Sequence, residues 1–153
     1  ATSLKDDLVD LMDDPLWSKL SQNIYLLEDF IVQEKEKNKI IKDIPLTKGD
    51  FLLHGHCHQK SIFTTQSIHK IFKNKEGVRC NEIESSCCGM AGSFGYEKKH
   101  YELSVKMANL KLIPAIQESG EDVKIIAQGF SCRHQIKDLA HRDAYHWIEV
   151  IDL

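Results

Sequence analysis

Three short apolar runs control what this chain can fold into. FLLHGH (Phe51 to His56), VRCNEIE (Val78 to Glu84) and VKIIAQG (Val123 to Gly129) each meet glycine or polar residues and then a stretch with helical spacing. Short apolar runs bounded by turn residues read as strands. A strand followed by a helix, repeated, favours parallel pairing, because parallel neighbours need a long crossover and a helix supplies it. The expectation is an α/β fold with a small, mostly parallel sheet, flanking helices and an N-terminal helical segment. At 153 residues the chain is about one domain long. The expected organisation is a helical segment over 1–47 packed on an α/β core over 48–153, together one compact unit.

The helical stretches can be placed more closely. Leu4, Leu8 and Leu11 have helical spacing, and Asp13-Asp14-Pro15 ends that run or starts the next. Leu16, Leu20, Ile24, Leu27 and Ile31 continue the pattern into EKEKNK (Glu34 to Lys39), a solvated charged end. Ser61 to Phe72 carries Ile62, Ile68, Ile71 and Phe72 at helical spacing, and Gly77 breaks it. A long helix is expected from about Tyr96 to Gly120, with Leu103, Met107 and Leu110 on one face and Pro114 kinking or restarting it. Another begins at CRHQIKDLAHR with Ser131 as N-cap. WIEVIDL reads equally as a last strand or a short helix.

The chemistry collects at cysteine. There are five: Cys57, Cys80, Cys87, Cys88 and Cys132. The odd count, without an export signal, points to reduced thiols in the cytoplasm rather than a secreted disulfide framework. Cys80 lies within a strand and reads as a small buried hydrophobe. The other four each follow a predicted strand. Ligands of open α/β sheets bind outside the carboxyl ends of the strands, so strand order alone would gather four thiols that are far apart in sequence.

Local features suit a metal or cluster. Cys87 and Cys88 enter a loop with Gly89, Gly92 and Gly95, whose backbone can approach closely and aim N–H groups at sulfur. Cys132 opens a helix, where the free N–H groups favour thiolate, and Arg133 adds positive charge. Among the eight histidines, His56 and His58 flank Cys57 and His134 follows Cys132 by two, making all three additional ligand candidates. His54 reads as a core histidine as readily as a functional one. His69, His100, His141 and His146 read as surface or core. A phosphate-cradling role for the glycines lacks both the P-loop lysine and the G-x-G-x-x-G fingerprint. Three readings stay open: a redox cluster, a zinc-bound docking module, and a thiol enzyme. The last would use Cys87–Cys88 for disulfide exchange, or Cys57 activated by His56 or His58.

Composition narrows the partners. A net charge of −3 gives no footprint for nucleic acid or an anionic membrane. No apolar run approaches the ~20 residues of a membrane span, and no signal-peptide pattern is visible. The chain starts Ala1-Thr2-Ser3 without methionine, as a piece of a larger protein would.

HGHCHQK, ESSCCGMAGSFGYEKKHY and IIAQGFSCRHQI together resemble the cysteine-rich CCG domain, over about Trp17 to His146. That domain occurs in iron–sulfur oxidoreductases linked to FAD-containing dehydrogenases of 2-hydroxy acids. It is found with heterodisulfide reductase, glycolate oxidase and anaerobic glycerol-3-phosphate dehydrogenase subunits, and in fusions of an FAD-linked oxidase domain with a ferredoxin-like segment. The resemblance implies an iron–sulfur cluster, of the 4Fe-4S kind, held by Cys57, the Cys87–Cys88 pair and Cys132; zinc with sulfur ligands stays open beside it. Gly89, Gly92 and Arg133 would line it. The family's last motif is Cys-x-x-Cys, whose second cysteine falls at Gln135 here, leaving four thiols. The resemblance further implies electron relay from flavin towards a quinone or other acceptor. FAD would belong to the parent protein or a partner, and the partners would be a flavin-containing dehydrogenase and a ferredoxin-like domain. The location would be cytoplasmic, at the inner face of the membrane through partners. On its own the chain would not turn over a hydroxy acid.

Overall fold

The computed structural model describes residues 1–12, 14–38 and 43–152. In chain order the elements are α1 (Thr2–Lys5), α2 (Asp7–Leu11), α3 (Pro15–Ser21), α4 (Leu27–Asn38), β1 (Gly49–His54), α5 (Cys57–Ile62), α6 (Gln66–Phe72), β2 (Val78–Glu82), α7 (Tyr101–Glu118), β3 (Lys124–Ala127), α8 (Phe130–Ala140) and β4 (Ala144–Tyr145). They form two compact units, residues 1–43 with 58–71 and residues 44–57 with 72–153.

The first unit is helical. The apolar run from Leu16 to Ile31 is two helices, not one. α3 starts with Pro15 behind Asp14, whose carboxylate accepts the Leu16 N–H at 2.9 Å. It ends in a tightened turn, with the Asn23 and Ile24 N–H groups on the Leu20 and Ser21 carbonyls, and Lys5 Nζ adds bonds to the Ser21 and Ile24 carbonyls at 3.1 and 3.2 Å. The expected apolar stripe is not covered: Leu16, Leu20 and Leu27 are exposed. The charged end of α4 is solvated at Lys35, Glu36 and Lys37, whereas Asp13 and Lys39 lie outside the described residues. Buried Gln59 donates to buried Glu28 at 2.7 Å, and Lys70 reaches Glu36 at 2.8 Å. The expected helix over Ser61–Phe72 breaks into α5 and α6 at Thr64, which takes φ +69° while the Phe63 and Thr64 N–H groups both bond the Gln59 carbonyl. A left-handed residue just past the last turn is a common helix stop.

The second unit holds a four-stranded sheet in the order β2-β1-β3-β4 with every pairing parallel. Leu52 and Ile125 are register partners, and with Ala127 they face α7 and α8 across an apolar core that includes Ala108, Leu112, Ile116 and Ile136. The residues between them on each strand point to the opposite face. There Phe51 meets Phe72 edge-on, with ring centroids 5.1 Å apart. β2 is an edge strand with alternating exposure, the reason VRCNEIE is less apolar than its neighbours. β4 was not legible at two residues. WIEVIDL is mostly a 3₁₀ turn, Trp147–Val150, closed by a reciprocal cap between His146 and Glu149. Its Ile151 then bridges Leu46 in antiparallel fashion.

α7 corrects three expectations. It begins at Tyr101, after a 3₁₀ turn at Phe94–Tyr96. Pro114 sits inside an unbroken helix; the carbonyl it leaves unpaired is that of Leu110, on the exposed side where solvent can take it. The buried face is Ser104, Ala108, Leu112, Ile113 and Ile116, while Leu103 and Leu110 are 52% and 73% exposed. Close approach explains the choice. A Cβ on Gly89 would lie 2.2 Å from the Ser104 carbonyl oxygen, so the face turned to the cysteine loop starts with small residues. α8 begins two residues earlier than expected, with Gly129 rather than Ser131 at its N-cap.

Candidate metal centre

The strand order creates one special place. From β1 the chain crosses outward to β2 on one side, and from β2 it returns across β1 to β3 on the other. The crevice at the carboxyl ends of β1 and β3 is therefore a topological switch point, the usual ligand position of an open parallel sheet. His54 is the last residue of β1, and Cys57 opens α5 three residues beyond it. Cys87 and Cys88 lie in the loop that leaves β2. Gly129 follows β3, and Cys132 is the third residue of α8.

The cysteines predicted from sequence meet here as two neighbouring pairs, Cys88 with Cys132 and Cys57 with Cys87, and the group compact enough for one ion takes in only Cys88 and Cys132 of the four. Cys88 Sγ and Cys132 Sγ are 3.1 Å apart and both buried. Cys57 bears directly on Cys87, both by contact and by charge. Gly89, at φ +88°, turns its N–H onto Cys87 Sγ at 3.3 Å, and this, together with the contact with Ser104, is why only glycine fits there. Gly92, at φ +69°, has open space where a side chain would go, so it serves the turn and not a close approach. Every cysteine is a free thiol.

Electrostatics divides these thiols. The S–H of Cys132 donates to Cys88 and, against the effect of burial, holds the Cys88 thiol down at about 4, helped by His54 and the Met90 N–H. The same bond, with burial and the neighbouring thiolates, pushes Cys132 upward. The buried pair thus shares one proton at neutral pH. Burial raises Cys87, opposed by the Gly89 N–H and reinforced by Cys57 and Cys88. A cation at the crevice would relieve the repulsion among these sulfurs, as thiolate ligands require.

Of the other predicted residues, His56 stays beside the crevice, while His58 and His134 are exposed. His56 packs on Gly129, where an added Cβ would lie 2.5 Å from the imidazole Cδ2 and 2.9 Å from Cys132 Sγ. His134 is exposed, with Nδ1 3.0 Å from the Tyr96 hydroxyl. His58 is exposed and belongs to the other unit. Arg133 donates through Nη1 to the Ala127 carbonyl at 3.3 Å. Gln135 is buried and donates to Ser104 Oγ at 3.0 Å, tying α8 to α7.

His54 is the site residue the sequence left undecided. It is 1% exposed, its Nδ1 is 2.8 Å from Ser85 Oγ, and one nitrogen lies with Cys88 Sγ and Cys132 Sγ in a group whose members are all within 4.8 Å of one another. The signal was the spacing His54-x-x-Cys57 at a strand exit. Soft sulfur with imidazole is a donor set for zinc, ferrous iron or an iron–sulfur cluster, and the residues present fit such a group.

The chain is 28% identical to D-2-hydroxyglutarate dehydrogenase of Pseudomonas putida over 121 residues, which is 78% of this chain and 12% of that protein. It is 31% identical to the Escherichia coli K12 D-2-hydroxyglutarate dehydrogenase over 131 residues, again 12% of the relative. It is 27% identical to one subunit of the anaerobic glycerol-3-phosphate dehydrogenase of Escherichia coli K12, over 86% of this chain and 28% of that relative. The chain thus spans only a small part of each of these relatives. No protein-family model matches it, and no solved structure does. Among the described residues no helix is long and apolar enough to cross a membrane.

Proposed function

We propose that this chain is an electron-transfer domain of the CCG type, holding an iron–sulfur cluster for a flavin-linked dehydrogenase of 2-hydroxy acids. The observation that carries the reading is the gathering of Cys57, Cys87, Cys88 and Cys132 from three strand exits at one switch point. The dehydrogenase relatives, matched over most of this chain, support the oxidoreductase setting. When bound, a cluster supplies a one-electron redox couple. The protein's own part is to present thiolates, to shield them in a half-buried crevice, and to aim the Gly89 N–H at Cys87 Sγ, an outer hydrogen bond of the kind that tunes potential. Flavin would reside elsewhere in the parent protein or in a partner, with a ferredoxin-like domain as the neighbouring carrier and a quinone as the acceptor class.

A zinc-bound docking module is the second reading, favoured by the compact group His54, Cys88 and Cys132. Anaerobic reconstitution with iron and sulfide, followed by EPR of the dithionite-reduced protein and elemental analysis, separates the two. A cluster signal with bound iron supports the redox reading. Zinc bound tightly, with no iron uptake, supports the docking reading.

A further inference from the structure

We propose that His54 is itself a ligand of this centre, its Nε2 joining Cys88 and Cys132 in a mixed sulfur–nitrogen donor set, with Ser85 as the residue that positions the imidazole. The inference rests on the thiolate-centre reading above and names a ligand that the cysteine pattern does not contain.

The strand-end position of His54 calls for an explanation. It is 1% exposed, at the end of a central strand of the sheet. An apolar residue there would bury at no polar cost, whereas an imidazole nitrogen left unpaired in the interior costs about 1–3 kcal/mol. One nitrogen is provided for: Nδ1 meets Ser85 Oγ at 2.8 Å. The other, Nε2, is fully buried and has no hydrogen bond of good geometry, yet its ring lies beside the Cys88–Cys132 pair. With a metal bound, an Nδ1–H given to Ser85 would free the Nε2 lone pair for the ion, the arrangement by which an outer partner orients a metal-bound histidine.

The distances allow it. A tetrahedral metal with ordinary bond lengths sets sulfur–sulfur separations near ~3.8 Å and sulfur–nitrogen separations near ~3.5 Å. The sulfurs stand at 3.1 Å, and all three atoms lie within 4.8 Å of one another, so side-chain adjustment suffices. The neighbouring candidates are less apt. His134 is exposed and engages Tyr96, and Gln135 is held by Ser104. The nitrogen comes from the end of β1.

Cobalt(II) is a suitable probe, added to the reduced, oxygen-free chain labelled with ¹⁵N in its histidine rings. Thiolate-to-cobalt charge-transfer absorption reports sulfur ligation, and pulsed EPR hyperfine coupling reports a bound imidazole. The parent is expected to give both. His54→Ala should keep the charge-transfer band, lose the nitrogen coupling and bind cobalt at least ~10-fold more weakly. Ser85→Ala should keep the coupling and weaken binding ~10-fold, while His134→Ala should change neither. A parent with the charge-transfer band but no imidazole coupling overturns the proposal and leaves the thiolate centre standing; coupling that survives His54→Ala does the same. Unchanged affinity in Ser85→Ala removes the positioning role. A parent with no thiolate band at all overturns the centre itself, and His54's role with it. If His54→Ala proves unfolded by circular dichroism, the labelled parent spectrum decides alone.

Discussion

Cys80 and Cys88 are eight residues apart and have opposite chemistry. Cys80 lies within β2, in register with Phe51, and burial, seconded by Glu82, pushes its thiol up to about 12. Cys88 lies past the strand end, where a donated S–H from Cys132, His54 and a backbone N–H hold it down at about 4. Cys80 is half-buried and Cys88 buried, and burial acts to raise both thiols, so burial alone does not separate them. The difference is position in the sheet. Inside a strand, backbone N–H groups are used by the ladder; beyond its end, they and incoming helices are free to face a ligand.

The largest effect should separate these two cysteines. Replacing Cys132 or Cys88 by serine should weaken zinc binding, measured by chelator competition, by more than ~100-fold, since ligand loss exceeds the 10–100-fold typical of outer partners. Cys80→Ser should leave it unchanged. Equal losses in all three would break the contrast between strand middle and strand end.

Next comes the loop that lets Cys87 and Cys88 reach the site. Gly89→Ala should destabilise the chain by about 3 kcal/mol or more in urea unfolding, because its φ is +88° and the new Cβ would meet the Ser104 carbonyl at 2.2 Å. Gly92→Ala, in open space at φ +69°, should cost only about 1–2 kcal/mol. If the two cost the same, α7 does not press on the loop.

Smaller still is Gln135→Leu, which removes the bond to Ser104 Oγ and should cost about 1–2 kcal/mol of stability without changing metal affinity. That is the reverse of the outcome expected three residues earlier at Cys132.

The last prediction concerns pH in the metal-free, reduced protein. The native pair Cys88–Cys132 holds one proton where two unfolded thiols would hold two, from about pH 4 up to the ordinary thiol range. The unfolded state binds more protons there, so the pair's contribution to stability rises with pH across that window and is lost as pH falls towards 4. Above the ordinary thiol range Cys132 keeps its proton and the trend reverses. Subtracting the pH–stability curve of Cys88→Ala from that of the parent should leave this profile; a flat difference would show that the two thiols do not share a proton.

The sheet was legible because its strands are short apolar runs with helices after them, and the site was legible because its cysteines follow those runs. What periodicity could not give was orientation. Leu103 and Leu110 have helical spacing as good as that of Ala108 and Leu112, and it is packing on the sheet, with the close approach of Gly89 to Ser104, that turns the second set inward. The breaks at Ile24–Leu26 and Thr64 go with a tightened last turn to which Lys5 adds two bonds and with a left-handed threonine, neither of which has a local sequence signature. His54 was ambiguous because an apolar strand and a ligand-bearing strand end look alike until Ser85, distant in sequence, is seen at its Nδ1.

The central claim is that thiols from three strand exits form a single site from which Cys80 is excluded. Isotope-coded alkylation with and without one equivalent of zinc under anaerobic conditions, read by mass spectrometry at each cysteine, tests it most directly. Cys57, Cys87, Cys88 and Cys132 should all lose reactivity together as zinc is added, and Cys80 should label at the same rate throughout. Protection confined to one strand exit, or protection of Cys80 with the others, would contradict it.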